Sequence, residues 1–264
     1  LGADTTVVEV MDRVLPVEDA EISAFAKKQF VKQGMKILEK ATVKKLDRKG
    51  GTVTAHIESN GKTETQNFDT VISAVGIVGN VEDCGFEEAG LKIDRTHIVV
   101  DELCRTGVDG VYAIGDVAGA PWLAHKASHE AVLCVDAIAG KPAHPLDALR
   151  IPACTYSYPQ VASVGMTEEA AKASGRKVKA GKFPLMGNAR AKALMQAEGF
   201  VKMIADAETD RVLGCHIIGP GAGELIHEVC VAMEFGASAE DIALTCHAHP
   251  TRSEAVRQAA MGVE

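Results

Sequence analysis

The sequence predicts an α/β protein whose first part contains portions of a parallel sheet and whose last part is an α+β domain. The opening run Thr5–Val10 is β-branched and continuous, which is typical of a strand buried on both faces of a parallel sheet, and Glu9 falls near its carboxyl end. A helical repeat follows, and residues 35–38 then predict a second strand. This strand-helix-strand order favours a βαβ unit.

The predicted helix of that unit begins after Pro16 and ends at Gly34, a residue suited to the position just past a helix C-terminus. Its apolar residues recur at three- and four-residue intervals, which gives the helix one apolar face. They are Ile22, Phe25, Ala26 and Phe30.

Short alternating runs replace this pattern from residue 43 to residue 68. The pairs Gly50-Gly51 and Asn60-Gly61 are turn signals between them, so we expect a small antiparallel meander. The run Thr70–Val75 is apolar and β-branched, and it predicts a further buried strand that ends before Gly76.

The remaining sequence predicts two more parts. We expect strands at residues 98–100 and 111–114 and a helix through 129–138, and then, from about Ile151, strands at 161–164, 200–204 and 212–218 with helices around 225–233 and 253–260. The predicted domains are residues 1–78, 79–148 and 149–264.

Composition narrows the class of protein. The chain has 264 residues, of which 47% are hydrophobic and 24% charged, an ordinary globular balance, and its net charge of −8 argues against nucleic-acid binding. No apolar stretch is long enough to span a bilayer, and no signal pattern opens the chain, so we expect a protein of the cytoplasm or an organelle matrix. The seven cysteines form no close pair and no metal-ligand spacing, and we expect most of them to be buried.

The strongest candidate for chemistry is the segment from His247 to Glu254, where His249 precedes Pro250. A residue before proline is held extended, and Glu254 would lie in the first turn of the next helix, from which its carboxylate can reach back to the imidazole. A carboxylate on one ring nitrogen raises the basicity of the other, as a general base requires. A helix-capping histidine beside a surface glutamate is the alternative.

Two further acidic residues lie at predicted strand ends. Asp116 follows the strand 111–114 and a glycine, at the edge of an open α/β sheet where ligands bind; alternatively it caps the next helix. Glu9 could accept hydrogen bonds from both ribose hydroxyls of NAD and would repel the 2′-phosphate of NADP. Alternatively, Glu9 is a solvated residue at the end of a strand and binds no ligand.

Three separated elements resemble one family: the segment His247–Thr251, the stretch 111–126 and Glu9 at the end of the first predicted strand. His247-Ala248-His249-Pro250-Thr251 resembles the C-terminal signature of the dihydrolipoamide dehydrogenases, within the pyridine nucleotide-disulfide oxidoreductase family. The stretch 111–126 resembles the family's second FAD-binding motif. This resemblance implies that Asp116 binds the ribityl chain of FAD and that the backbone of Leu123, Ala124 and His125 approaches the isoalloxazine ring.

The same resemblance places the start of the chain in a Rossmann-like NAD-binding domain. It implies NAD contacts at Glu9, Thr42 and Gly76, with Ile77 standing where the family commonly has an arginine, and it places the glycine-rich loop immediately before Leu1. The last part resembles the interface domain of a homodimer, in three motifs: Tyr156–Gln160, Asn188–Ala191 and Gly221–Glu228.

The resemblance implies an enzyme that oxidises dihydrolipoyl groups of 2-oxo acid dehydrogenase or glycine-cleavage complexes, with FAD and NAD as cofactors. Lipoyl domains and the core acyltransferase would be its partners. His249, held by Glu254, would take the proton of the dihydrolipoyl thiol. The chain has no Gly-x-Gly-x-x-Gly and no cysteine pair separated by four residues, so the redox disulfide is expected outside it, in a longer protein.

Other functions stay open at this point. Glutathione reductases share His-Pro-Thr and a nearby glutamate, but they prefer NADP, for which Glu9 is unsuited. Mercuric reductases end in paired cysteines that this C-terminus lacks. A non-catalytic dimerisation or assembly module is the alternative from a different class, because the chain has no redox cysteine pair.

Overall fold

The computed structural model describes residues 2–263. The chain forms two compact units, one from Leu1–Ile72 together with Pro152–Glu264 and the other from Ser73–Ile151. Among the described residues, no helix is long and apolar enough to cross a membrane.

The first unit opens with the predicted strand-helix-strand order. β1 (Thr6–Val8) and β2 (Lys36–Leu38) are parallel neighbours, and α1 (Ala20–Lys32) connects them. Gly34 follows the C-cap of α1 with φ of +99°, as expected for the position past a helix end. β1 is half-buried, whereas the sequence predicted burial on both faces, because within the described residues it pairs with β2 alone.

The predicted antiparallel meander is confirmed. It consists of β3 (Ala41–Lys49), β4 (Thr52–Ser59) and β5 (Lys62–Phe68). The buried strand predicted for Thr70–Val75 is wrong: the run is not a strand, and Ile72 and Val75 are 87% and 95% exposed. A strand needs neighbouring strands to accept its backbone hydrogen bonds, and this run pairs with none in the described chain.

The second unit contains little regular structure besides one long helix. Its elements are β6 (Ile93–Asp94), β7 (His97–Ile98), a 3-10 turn (Gly115–Ala118), α2 (Ala124–Ile138) and a second 3-10 turn (Ala148–Arg150). The predicted helix through 129–138 is confirmed within α2. Residues 111–114 are not a full strand, and only Tyr112 makes a β-bridge, to Arg105.

The last part of the chain is an antiparallel sheet with five helices. Its strands, in spatial order β10-β11-β12-β9-β8, are β8 (Ala153–Thr155), β9 (Val161–Gly165), β10 (Val178–Pro184), β11 (Phe200–Asp206) and β12 (Val212–Ile218). The helices are α3 (Glu168–Ala173), α4 (Ala189–Ala193), α5 (Ala222–Glu234), α6 (Ala239–Leu244) and α7 (Glu254–Met261). The three strands and two helices that the sequence predicted here are all present.

The alternation of side chains along β11 assigns its two faces to different helices. Val201 and Met203 point into the main apolar core, which they share with residues of α5 and α7. Phe200 points to the opposite face and packs against α1, with the rings of Phe25 and Phe200 in an edge-to-face contact at 5.6 Å between centroids. The sheet is therefore covered by helices on both faces.

α7 approaches β10 closely enough to require a glycine. A Cβ at Gly181 would lie 2.0 Å from the carbonyl oxygen of Ala259, which no side chain tolerates. The contact brings the backbone of α7 against the edge of the sheet. It fixes the helix that carries Glu254.

One lysine is buried beneath the N-terminus of α1. The side chain of Lys202 is 3% exposed, and its Nζ contacts Asp19 at 3.0 Å, Glu21 at 2.9 Å and Glu168 at 2.6 Å. Asp19 is also the N-cap of α1, since its Oδ1 accepts a hydrogen bond from the backbone N–H of Glu21. Lys202 thus connects β11 to α1 and α3.

The cluster balances charge. Glu21 contacts a second lysine, Lys182, at 2.6 Å, and Glu168 contacts Lys172 at 2.5 Å, so three lysines face three carboxylates.

These ion pairs shift the pKa values of the carboxyl and ammonium groups. Burial raises the pKa of Asp19, but the hydrogen bond and charge of Lys202 outweigh burial, and the net pKa is lowered. Burial likewise lowers the pKa of Lys202, yet the three carboxylates raise it above its ordinary value.

We expect Lys202→Met to destabilise the protein, because it leaves buried Asp19 without its cation. The loss of one partner of a buried pair costs about 3–5 kcal/mol in unfolding free energy, measurable by urea denaturation near pH 7. The control is Lys177→Met, which removes a lysine that is 78% exposed and should cost less than about 1 kcal/mol. Equal effects of the two substitutions would contradict the structural role of Lys202.

Acidification should weaken the same cluster. The lowered pKa values of Asp19, Glu21 and Glu168 contribute stability that is present above their unfolded-state pKa values and is lost as pH falls through the folded-state values. Below about pH 4.5, the ordinary value of a glutamate, the unfolding free energy should therefore decrease. The decrease should be shallower in Lys202→Met, and parallel curves for the two proteins would contradict the assignment.

Candidate active site and cofactor-binding residues

The segment between α6 and α7 carries the candidate base. Nδ1 of His249 lies 2.9 Å from Oε1 of Glu254, so the hydrogen bond that the sequence predicted is present. The His249 side chain is 69% exposed, whereas Glu254 is 24% exposed at the start of α7. The ring can therefore be reached from solvent.

Glu254 is held as an ionised acceptor. The backbone N–H of Thr251 donates to its Oε2 at 2.8 Å, and this bond, followed by the one from His249, lowers the pKa of Glu254. A carboxylate only accepts hydrogen bonds, so Nδ1 of His249 must carry the proton that it donates. The neutral ring then has its lone pair on Nε2, the arrangement of a general base.

Asn188 connects this segment to a second helix. Its Nδ2 donates to the carbonyl oxygen of Thr251 at 2.8 Å, while its Oδ1 caps α4 by accepting from the N–H of Ala191 at 2.9 Å. Asn188 is 3% exposed. The sequence motif at Asn188–Ala191 contained this residue, but the spacing did not indicate that its amide would hold the histidine segment.

Asp116 lies in the second unit, on the 3-10 turn that follows the extended residues 111–114. The carboxylate is exposed, and the turn begins at Gly115, whose φ is +73° and whose absent Cβ would lie 3.3 Å from the Cβ of Ala127. The turn and α2 are therefore packed closely. An exposed carboxylate on such a turn fits a ligand with hydroxyl groups, such as the ribityl chain of FAD.

A buried ion pair supports this turn, and the sequence analysis missed it. Nζ of Lys126 lies 2.8 Å from Glu130 and donates to the carbonyl oxygen of Gly119 at 3.0 Å, while Glu130 accepts from the N–H of Gly115 at 2.7 Å. The side chains of Lys126 and Glu130 are 7% and 13% exposed. The four-residue spacing of Lys126 and Glu130 is the signal that could have revealed the pair, but the helix predicted for residues 129–138 left Lys126 outside it.

Leu123, Ala124 and His125 form the start of α2. Leu123 is the N-cap and provides no side-chain hydrogen bond to the helix. The first turn of a helix exposes backbone N–H groups that a hydrogen-bond acceptor can occupy. The N–H of Leu123 donates to the carbonyl oxygen of Pro121 at 3.0 Å, so the donors that fit the polar edge of a flavin follow Leu123 on the helix. The contact of Leu123, Ala124 and His125 with FAD, which the resemblance implies, stays a prediction.

The predicted NAD residues divide between the units. Glu9 directly follows β1, its Oε1 accepts from the N–H of Met11 at 2.8 Å, and its carbonyl oxygen accepts from Ala41, the neighbour of Thr42, at 3.0 Å. Glu9 and Thr42 are thus near each other in the first unit. Gly76 belongs to the second unit and has φ of +128°. A half-buried carboxylate at the carboxyl end of β1 fits a ribose diol.

The cysteines are free, and four of them are poor nucleophiles. Burial raises the pKa of the Cys104 and Cys230 thiols to about 11 and raises those of Cys154 and Cys215 as well. Three cysteines are buried, two are half-buried and two are exposed, so fewer are buried than expected.

Comparison with known proteins identifies the class of the chain as pyridine nucleotide-dependent oxidoreductases with a dimerisation domain. Residues 1–131 match the model of the pyridine nucleotide-disulphide oxidoreductases, and residues 151–260 match that of the pyridine nucleotide-disulphide oxidoreductase dimerisation domain. The chain belongs to the pyridine nucleotide-disulphide oxidoreductase family. The predicted fold class is confirmed.

Individual relatives narrow the comparison. The chain is 48% identical over 263 residues to a dihydrolipoyl dehydrogenase of Rhizobium etli, covering 99% of this chain and 55% of the relative, and 45% identical to the mitochondrial dihydrolipoyl dehydrogenase of Pisum sativum, covering 99% and 52%. A solved structure of the flavoprotein disulfide reductase RclA from Escherichia coli matches all of this chain and 60% of that one, with a TM-score of 0.91 and 25% identity. The chain spans about half the length of the curated relatives it matches.

We expect Glu130→Ala to loosen the turn that carries Asp116, because Lys126 is then buried without its carboxylate. The cost should be about 3–5 kcal/mol in unfolding free energy, with lower flavin retention in the full-length protein, measured by urea denaturation and by flavin absorbance after dialysis. Glu102→Ala, at an exposed position of the same unit, is the control. Unchanged stability in Glu130→Ala would show that the ion pair does not support the turn.

Proposed function

We propose that the full-length protein is a dihydrolipoyl dehydrogenase, which oxidises protein-bound dihydrolipoamide to lipoamide and reduces NAD. The observation that carries the proposal is the hydrogen bond between His249 and Glu254 on a dimerisation domain that is closely similar to dihydrolipoyl dehydrogenases. The overall reaction transfers two electrons and one proton to NAD as hydride and releases the second proton to solvent.

His249 has the role of general base in this proposal. Its Nε2 takes the proton from a thiol of the dihydrolipoyl group, and the resulting thiolate is the nucleophile that attacks a redox disulfide. That disulfide lies outside this chain. Glu254 keeps the Nδ1 proton in place and stabilises the imidazolium that forms when Nε2 is protonated.

FAD and NAD are the cofactors of the proposal. Asp116 would bind the ribityl chain of FAD, the backbone of Leu123, Ala124 and His125 would face its ring, and Glu9, Thr42 and Gly76 would bind NAD. When bound, FAD supplies the two-electron relay between the enzyme dithiol and NAD.

The proposed partners follow from the same similarity. The dimerisation domain favours a homodimer in which the base of one subunit serves the disulfide of the other. Lipoyl domains and the core acyltransferase of a 2-oxo acid dehydrogenase complex would present the substrate. We propose the cytoplasm, or the mitochondrial matrix as for the similar protein of Pisum sativum, as the compartment.

We also propose the domain division 1–78, 79–148 and 149–264, with NAD-binding, FAD-binding and interface roles in that order. The compact unit Ser73–Ile151 supports the middle domain.

Intact mass and visible absorption of the purified full-length protein test the proposed function. We expect a flavin spectrum that bleaches on addition of dihydrolipoamide and recovers on addition of NAD. Reduction by NADPH with turnover of glutathione disulfide would instead identify a glutathione reductase. A protein of the mass of this chain without flavin would favour a non-catalytic dimerisation module.

Substitution of the base should separate catalysis from cofactor binding. We expect His249→Gln to lower kcat for dihydrolipoamide oxidation by about 10²- to 10⁴-fold, the usual contribution of a general base, with flavin content unchanged. Steady-state kinetics measure the effect, and His144→Gln, at an exposed position of the other unit, is the control. Activity retained in His249→Gln would exclude it as the base.

A further inference from the structure

A second histidine-carboxylate pair lies beside the candidate base. Nε2 of His247 contacts Oε1 of Glu228 on α5, and Nδ1 of His247 lies 2.8 Å from the carbonyl oxygen of Thr245. The side chain of His247 is 6% exposed, against 69% for His249. The two histidines of one short segment therefore have opposite surroundings.

The partners of His247 determine where its protons are. A carbonyl oxygen and a carboxylate both accept hydrogen bonds, whereas a neutral imidazole carries only one N–H. Both contacts are hydrogen bonds only if the ring donates from both nitrogens, as an imidazolium facing the carboxylate of Glu228, or if Glu228 itself carries the shared proton. In either form the ring of His247 has no lone pair for a substrate proton.

The contacts of His247 also anchor the backbone of the segment. Glu228 precedes Val229, which is fully buried in the main core, so α5 is a fixed support. On the other side, Glu254 and Thr251 hold His249 to α7. The segment is therefore tied at His247 to one packed helix and at His249 to another.

We infer that His247 and Glu228 are positioning residues that hold the backbone on which His249 acts as base. The inference rests on the proposed function and deepens it. His247 acts through its two hydrogen bonds and does not exchange a proton with substrate, and Glu228 acts through His247.

The paired charges limit the electrical effect of this arrangement on the base. In the ionic form an imidazolium and a carboxylate lie together, so the pair adds no net charge beside His249. The hydrogen bond between Nε2 of His247 and the carboxylate oxygen of Glu228 is then what holds the segment in place. Glu228→Gln keeps an acceptor oxygen and loses the charge, while Glu228→Ala loses both.

Kinetics of the full-length, flavin-loaded enzyme test the inference. We expect Glu228→Ala and His247→Ala to lower kcat for dihydrolipoamide at least about tenfold, since small displacements of a catalytic group cost one to two orders of magnitude in rate. KM for NAD and the rate of ferricyanide reduction by NADH, which needs no thiol proton, should stay within twofold of wild type. Glu228→Gln should retain most of kcat.

Two matched substitutions outside the interface motifs are the controls. Glu240→Ala removes an exposed glutamate of α6, and His144→Ala removes an exposed histidine of the other unit. Both should leave kcat unchanged. A fall in ferricyanide reduction parallel to the fall in kcat would overturn the inference, because it would indicate general damage to the fold, and so would an unchanged kcat in Glu228→Ala.

Nitrogen-15 NMR of histidine-labelled full-length protein gives a readout that does not depend on turnover. We expect neither ring nitrogen of His247, assigned with His247→Ala, to have a free lone pair in wild type, and the His249 resonances to move in Glu228→Ala. A free lone pair on a ring nitrogen of His247, with unmoved His249 resonances, would overturn the inference. If the wild-type enzyme does not oxidise dihydrolipoamide, the proposed function fails. The NMR measurement still tests whether the His247–Glu228 hydrogen bond positions His249.

Discussion

The burial of Lys202 is the constraint on which the first unit depends. An ammonium group taken out of water costs several kcal/mol, so β11 can bury this side chain only where carboxylates meet it. Asp19 and Glu168 come from α1 and α3, which lie far apart in sequence. Because the attraction is lost if either carboxylate is displaced, the lysine specifies where the N-termini of both helices sit on the sheet.

The sheet row that contains Lys202 extends this specification. Lys182, Lys202, His216 and Ser163 are consecutive cross-strand neighbours on β10, β11, β12 and β9. Polar side chains on one line across an otherwise apolar face need polar partners above them. Asp19 and Glu21 at the start of α1 meet the two lysines, and the carbonyl oxygen of Met166 lies 2.9 Å from Nε2 of His216. The apolar remainder of α1 packs beside the row, with Ile22 and Ala26 fully buried.

Local sequence patterns predicted the elements whose structure depends mainly on residues within the element itself. α1, the meander, β12 and α7 follow from periodicity and turn residues, and the His249–Glu254 bond follows from a five-residue spacing. The run Thr70–Val75 has the composition of a buried strand, yet composition indicates a need for partner strands and cannot show that they are present. Its exposure in the described chain therefore could not be predicted from the run itself.

The residues that the sequence analysis missed depend on partners distant along the chain. Glu228 precedes His247 by 19 residues, and Asp19 precedes Lys202 by 183. Neither separation corresponds to a helix or strand period. A single lysine inside the apolar run 200–204 was nevertheless a usable signal, because a central strand rarely accepts an unpaired charge. It indicated that carboxylates would cover this face, without identifying them.

The same dependence on distant partners distinguishes the two histidines of the candidate site. His247 and His249 share a residue type and lie two residues apart, and local sequence distinguishes them only by Pro250 and the five-residue spacing from His249 to Glu254. His247 has an acceptor at each nitrogen, whereas Glu254 engages only Nδ1 of His249. Glu228 and Glu254 occupy these places because α5 and α7 pack into one apolar core on the same face of the sheet. The packing of the core therefore selects which histidine can accept a proton.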